Sequence, residues 1–195
     1  MDTLIQIVDA AVADAVRRSD SHLACRIGCT QCCTGVFAIS QQDAARLRDA
    51  LASLAQNDPD RAQRIRTRVA ASITRIEPDF PGDPTTGILA EDDASRAFFD
   101  DEFAEDEVCP VLDPATGACD LYAARPILCR TFGPAMRDED GNFAAWELCY
   151  TTATEEEIAA CEIDPRIAIE EEASNSAFNA THNAKGETII AFALR

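Results

Sequence analysis

The sequence predicts a mainly α-helical protein with a small β-hairpin element and an irregular, cysteine-rich, metal-bound core. Three observations predict it. Cys25, Cys29, Cys32 and Cys33 fall within nine residues, a density of soft thiols that suits metal ligation better than core packing. Apolar residues recur at helical spacing through several long stretches. Asp113-Pro-Ala-Thr-Gly117, a turn sequence, separates two short extended runs that carry Cys109 and Cys119.

Residues 3–18 are expected to form an amphipathic helix, with Leu4, Val8, Ala11 and Ala15 on one face. The first cysteine cluster follows in an irregular segment containing Gly28 and Gly35. Phe37 to Ile39 is a short extended candidate, and Ser40 with Asp43 three residues on reads as an N-cap. The helix it starts aligns Ala44, Leu47, Leu51 and Leu54, and Asn57-Asp58-Pro59 ends it. A third helix over 60–76 turns Ile65, Val69, Ile73 and Ile76 inward. Its arginines, Arg61, Arg64, Arg66, Arg68 and Arg75, are expected to form a solvated face, with basic docking the alternative. Residues 77–87, rich in Pro and Gly, read as a loop. Residues 91–107 hold nine acids and read as a short helix with Phe98, Phe99 and Phe103 turned inward. No EF-hand order of ligands appears there. The cysteine hairpin comes next, then a helical turn opened by Arg125-Pro126 and carrying Cys129. Asp138 to Asn142 reads as a turn before Cys149, and Thr154 to Glu157 as a capping box. A helix over about 165–180 and an apolar end at Thr188–Leu194, strand or helical turn, complete the chain. No internal repeat is evident.

At 195 residues the expectation is a single domain: a metal-binding core at 22–150, an N-terminal helix at 1–21 and a helical extension at 151–195. The net charge of −18 repels phosphate backbones and anionic membrane surfaces, so neither nucleic acid nor membrane is an expected partner. The first residues lack the basic start and apolar run of a secretory signal, and the expected address is the cytoplasm, where thiols stay reduced. There, clustered cysteines point to metal rather than disulfides. Arg26, Arg125 and Arg130, next to or near cluster cysteines, would offset thiolate charge. His22 and His182 read as surface residues and Cys161 as a buried apolar one. Tyr122, Phe132 and Trp146 are expected to pack around the metal region.

Cys25-x3-Cys29-x2-Cys32-Cys33, followed by Phe37 to Leu47, then Cys109-Pro-Val-Leu, Gly117-Ala-Cys119-Asp-Leu-Tyr122 and Arg125-Pro126-Ile-Leu-Cys129-Arg130-Thr-Phe132, form a combined pattern. It resembles the YkgJ-type cysteine-cluster family (CxxCxxCC), whose members are described as zinc- or iron-chelating. The family's first spacing is Cys-x2-Cys, and here it is Cys25-x3-Cys29, one residue of loop longer. The resemblance implies metal binding. A related branch includes flagellin lysine methylases, which suggests the alternative of a metal-dependent protein-modifying enzyme.

Eight cysteines match the pattern: Cys25, Cys29, Cys32, Cys33, Cys109, Cys119, Cys129 and Cys149. Eight thiolates divide into two four-thiolate sites, and a sulfur-bridged two-metal cluster is also open. The two cysteine groups are expected to interleave. Zinc is the expected metal, because the ferredoxin-type run of three cysteines at x2 spacing is absent; iron or an iron–sulfur cluster is the alternative. The leading expectation is a metal-binding protein with a structural or metal-carrier role. Metal ions are its expected partners, together with a basic protein partner if the acidic 91–107 segment is a docking surface.

Overall fold

Helix-forming stretches with one apolar stripe dominate the chain, and the structure, a computed structural model, is mainly helical with three small two-stranded antiparallel sheets. It describes residues 3–24, 28–101, 103–137, 143–146 and 148–195. The α-helices are α1 (Thr3–Ser19), α2 (Gln41–Asn57), α3 (Pro59–Ile76), α4 (Asp93–Asp101), α5 (Ile127–Thr131), α6 (Glu155–Ala160), α7 (Arg166–His182) and α8 (Ile190–Ala193). The strands are β1 (Gly82–Asp83), β2 (Ile88–Leu89), β3 (Leu112–Asp113), β4 (Ala118–Cys119), β5 (Met136–Arg137) and β6 (Phe143–Ala144). Two compact units arise: residues 28–126 with 178–195, and residues 1–27 with 127–177.

The unit of residues 28–126 and 178–195 is built on the α2–α3 hairpin. The Ser40 hydroxyl accepts from the Asp43 amide at 3.1 Å and starts α2. Asp58 both ends α2 and caps α3: its amide donates to the Leu54 carbonyl at 2.7 Å and its carboxylate accepts from the Arg61 amide at 3.0 Å. Pro59 sits at the first position of α3, where no amide is missed. Leu47 and Leu51 meet Ile65, Val69 and Ile73 in one buried cluster, which α8 closes with Ile190 and Phe192. The end of the chain is both of its predicted forms. Thr188 pairs with Ile39 as an isolated bridge, and the helical turn α8 follows.

Residues 77–87 are not simply a loop. They enter a hairpin, β1 against β2, around Asp83-Pro-Thr-Thr-Gly87. The same turn recurs between β3 and β4. In the first, Asp83 accepts from the Thr85 amide at 2.9 Å and the Thr86 hydroxyl at 2.8 Å, and Gly87 donates to the Asp83 carbonyl at 2.7 Å. In the second, Asp113 accepts from the Ala115 amide at 3.1 Å and the Thr116 hydroxyl at 2.8 Å, and Gly117 donates at 2.8 Å. Gly87 and Gly117 take φ of +73° and +68°, which a side chain disfavours.

The acidic helix α4 ends at Asp101, so Phe103 lies beyond it and is not on its face. Phe103 is buried beside Phe80, whereas Phe98 is 39% exposed, which corrects the expectation of three inward aromatics. Phe98 and Phe99 are consecutive and point about 100° apart on a helix, and Phe99 is the one that packs against the core.

In the other unit α1 packs on α5 through Leu4, Ile5, Val8 and Ile127, joined by Ile163 and Ile167. Strands β5 and β6 pair, and the expected turn at 138–142 between them lies outside the described residues. Thr154 and Glu157 form the capping box of α6, with the Glu157 carboxylate accepting from the Thr154 amide at 2.8 Å.

Candidate metal centre

Two segments about seventy residues apart in sequence meet in the first unit. Gln31–Cys33 forms a 3-10 turn, and the chain then runs antiparallel to 107–109: the Cys109 amide donates to the Cys33 carbonyl at 2.8 Å and the Gly35 amide to the Glu107 carbonyl at 2.8 Å. Thr34 and Val108 pair as a bridge. The β3–β4 register sets Cys119 opposite Leu112, three residues beyond Cys109. Cys32, Cys33, Cys109 and Cys119 are thereby brought within electrostatic reach of one another.

Their protonation follows from this grouping. The Cys33 thiol donates to Cys32, which lowers the Cys32 thiol to about 6 against the opposing effect of burial; the Cys32 amide and the Arg125 guanidinium add to the lowering. Cys33 is pushed up by that same hydrogen bond, by burial and by the charges of its three cysteine neighbours. Burial pushes Cys109 up to about 12, against hydrogen bonds from the Val111 and Leu112 amides. Burial also raises Cys119, against a hydrogen bond from the Leu121 amide and the charge of Arg125.

What holds the hairpin in place was not legible as such in the sequence. Arg61, Arg68 and Arg75 recur every seven residues, two turns of α3, and so share one face. Arg61 donates to Asp120 at 2.5 Å, and Arg68 binds the same carboxylate and the Pro110 carbonyl at 2.8 Å. Arg75 grips Glu107 with two bonds, 2.9 and 2.6 Å. Asp120 adjoins Cys119, and Glu107 and Pro110 bracket Cys109, so the stripe positions both thiols. These three arginines bind the hairpin rather than form a docking surface, although Arg75 stays largely exposed, and Arg64 and Arg66 are exposed as expected. The stripe's seven-residue spacing opposite two acids beside cysteines was the available signal.

Four further cysteines are expected ligands. Cys29 is half-buried just before the 3-10 turn, and Cys25 lies outside the described residues. Cys129, on α5, and Cys149 belong to the second unit, where Cys149 is buried with Ala135, Tyr150 and Cys161. The described cysteines form no disulfide with one another. Among the described residues, no group of three or more His, Cys, Asp or Glu side chains is arranged to hold a metal ion. The four thiols converge as a partly buried group in which Cys33 donates to Cys32, and among the described residues they are not arranged as a ligand shell.

Of the arginines expected to offset thiolate charge, Arg26 lies outside the described residues. Arg125 faces Cys32 and Cys119, and Arg130 donates to Asp9 at 2.7 Å. Tyr122 is 57% exposed, with one ring face covered by the Arg125 guanidinium 3.6 Å away, and Phe132 is also exposed. Trp146 packs against the buried cluster that holds Cys149, and its ring meets Phe132. The His22 ring stacks on Tyr150 and the exposed His182 on Phe178. A small cavity of about 20 Å³ touches Cys109, lined also by Gly35, Ser72, Glu107 and Ile190.

The family model CxxCxxCC, described as "Putative zinc- or iron-chelating domain", matches residues 24–162, well over half of the sequence. The chain belongs to the CxxCxxCC family. No curated protein and no solved structure matches it. The CxxCxxCC match takes in all nine cysteines, including Cys161, and runs through α6. The family description supports metal binding by this chain, with zinc and iron both named in it. Among the described residues, no helix is long and apolar enough to cross a membrane.

Proposed function

We propose that this CxxCxxCC protein holds a metal ion, zinc in the first place, through Cys32, Cys33, Cys109 and Cys119, and that the ion is structural. The observation that carries this reading is the convergence of four thiols from two distant segments, with backbone amides bonded toward the Cys109 and Cys119 sulfurs. That donor set fits a soft or borderline cation: thiolates are its preferred ligands, and amide hydrogen bonds stabilise sulfur in the charged form that ligation needs. Bound there, zinc would tie the 29–35 segment to the cysteine hairpin, adding on the order of 10 kcal/mol to folding. Arg125 balances part of the negative charge of a four-thiolate centre. Cys25, Cys29, Cys129 and Cys149 remain ligand candidates for further metal.

Thiolate ligands kept free of oxidation suit the cytoplasm. The test is metal analysis with an absorption spectrum on protein purified without oxygen. Colourless protein containing zinc supports the reading. Brown protein containing iron and sulfide replaces it with an iron–sulfur centre and moves the enzyme alternative forward.

A further inference from the structure

A groove of about 390 Å³ opens between α2 and α3, floored by Leu51, Val69, Ile73 and Leu194 and rimmed by Arg48, Arg66 and Arg195. We propose that this groove binds a small amphiphilic carboxylate, its apolar body on the floor and its carboxylate between Arg48 and Arg66.

The two helices present matching sequences to it. Arg48-x2-Leu51-Ala52 on α2 faces Arg66-x2-Val69-Ala70 on α3. In a tight hairpin turning at Asp58, Arg48 stands ten residues before the turn and Arg66 eight after it. At about 1.5 Å per residue the two positions stand within about 3 Å of one level along the hairpin. Ala52 and Ala70 keep the walls low beside the apolar floor. Arg66 lies five residues from Arg61, about 140° around α3, so this face is distinct from the one that carries the Asp120 and Glu107 pairs.

The charge points to the occupant. The chain carries −18 overall, and Arg61, Arg68 and Arg75 on the same helix are all paired with acids. Arg48 and Arg66 make no hydrogen bond or ion pair among the described residues. Arg195 is held, donating to the Pro84 carbonyl at 2.7 Å with its guanidinium over Phe192, and so fixes one end of the rim. Two guanidinium groups that no acid among the described residues neutralises, standing over an apolar floor, complement an anion with a hydrocarbon body and offset locally the repulsion of the acidic chain. Arg meets a carboxylate with paired hydrogen bonds that an alcohol cannot return. The volume matches small-molecule sites.

The experiment is calorimetric titration of the full metal-loaded chain with decanoate and, separately, with decanol. Saturable binding of decanoate, with decanol at least about tenfold weaker, is expected. The double variant Arg48→Gln/Arg66→Gln should lose about tenfold in decanoate affinity or more at unchanged metal content, and Ala70→Leu should block both ligands. Equal affinity for decanol, or decanoate binding that survives the double variant, overturns the proposal. So does binding that tracks loss of metal from the protein, which would place the carboxylate at the cysteine centre.

Discussion

Cys32 faces Arg125 and accepts a hydrogen bond from Cys33, while Cys109 is half-buried and raised by desolvation, so the four thiols differ in how easily they lose protons. Replacing Cys32 with Ser is expected to lower metal content and thermal stability together, read by elemental analysis and thermal melting. Unchanged metal content would remove Cys32 from the ligand set. Cys161→Ala should leave metal content alone, because Cys161 packs in an apolar cluster. Loading the centre must displace the Cys109 proton, held up to about 12, and that of Cys33, so metal affinity should weaken as pH falls from 8 toward 6. A competition titration against a chelator at several pH values measures it; a flat profile would mean that no thiol proton is released. At this scale the residue types were legible, since clustered cysteines announce soft-metal chemistry by themselves. That the two groups interleave was an expectation from the sequence; which sulfurs of each group meet was not legible, because it depends on a 3-10 turn and a strand bridge that no local pattern encodes.

Elements with a strong local signal were legible in the sequence: the stripes of α1, α2 and α3, the Ser40 cap and the Thr154–Glu157 capping box all formed at their expected places. The β3–β4 turn was legible from Asp113-Pro-Ala-Thr-Gly117. Its twin at Asp83–Gly87 was hidden by the surrounding prolines, although the two turns share the same Asp, Thr and Gly hydrogen bonds. A Cβ at Gly87 would stand 2.6 Å from the Phe192 Cβ, at φ +73°. Gly87→Ala is therefore expected to destabilise by about 1–3 kcal/mol in chemical denaturation, and a neutral result would contradict the packing described for α8. The arginine stripe of α3 is a tertiary feature read across two elements. Arg68→Met should leave the Asp120 carboxylate with one partner fewer and the Pro110 carbonyl unbonded, costing about 1–3 kcal/mol and loosening metal retention. Full stability and metal retention in that variant would show that the stripe does not position the hairpin.

Across the whole molecule the acidic excess sets the pH response. Glu107 is buried, which opposes its ionisation, yet its paired bonds from Arg75 and the charge of that guanidinium hold its carboxyl below the usual range. A carboxylate lowered in the folded state contributes stability above its unfolded value, near 4.3, and loses it as pH falls through the folded one. Thermal melts should therefore show a loss below about pH 4 that Glu107→Gln flattens. The mainly helical class was legible from periodicity, while the division into two compact units was not, because residues 178–195 join 28–126 across a long sequence gap. The central claim is that Cys32, Cys33, Cys109 and Cys119 share one ion. Its most direct test is metal content per chain in wild type and in Cys109→Ser/Cys119→Ser, both purified without oxygen and matched for helicity. The account predicts that the variant holds about one ion fewer than the wild type. Equal metal content in the two proteins, or a wild type that binds none, would contradict it.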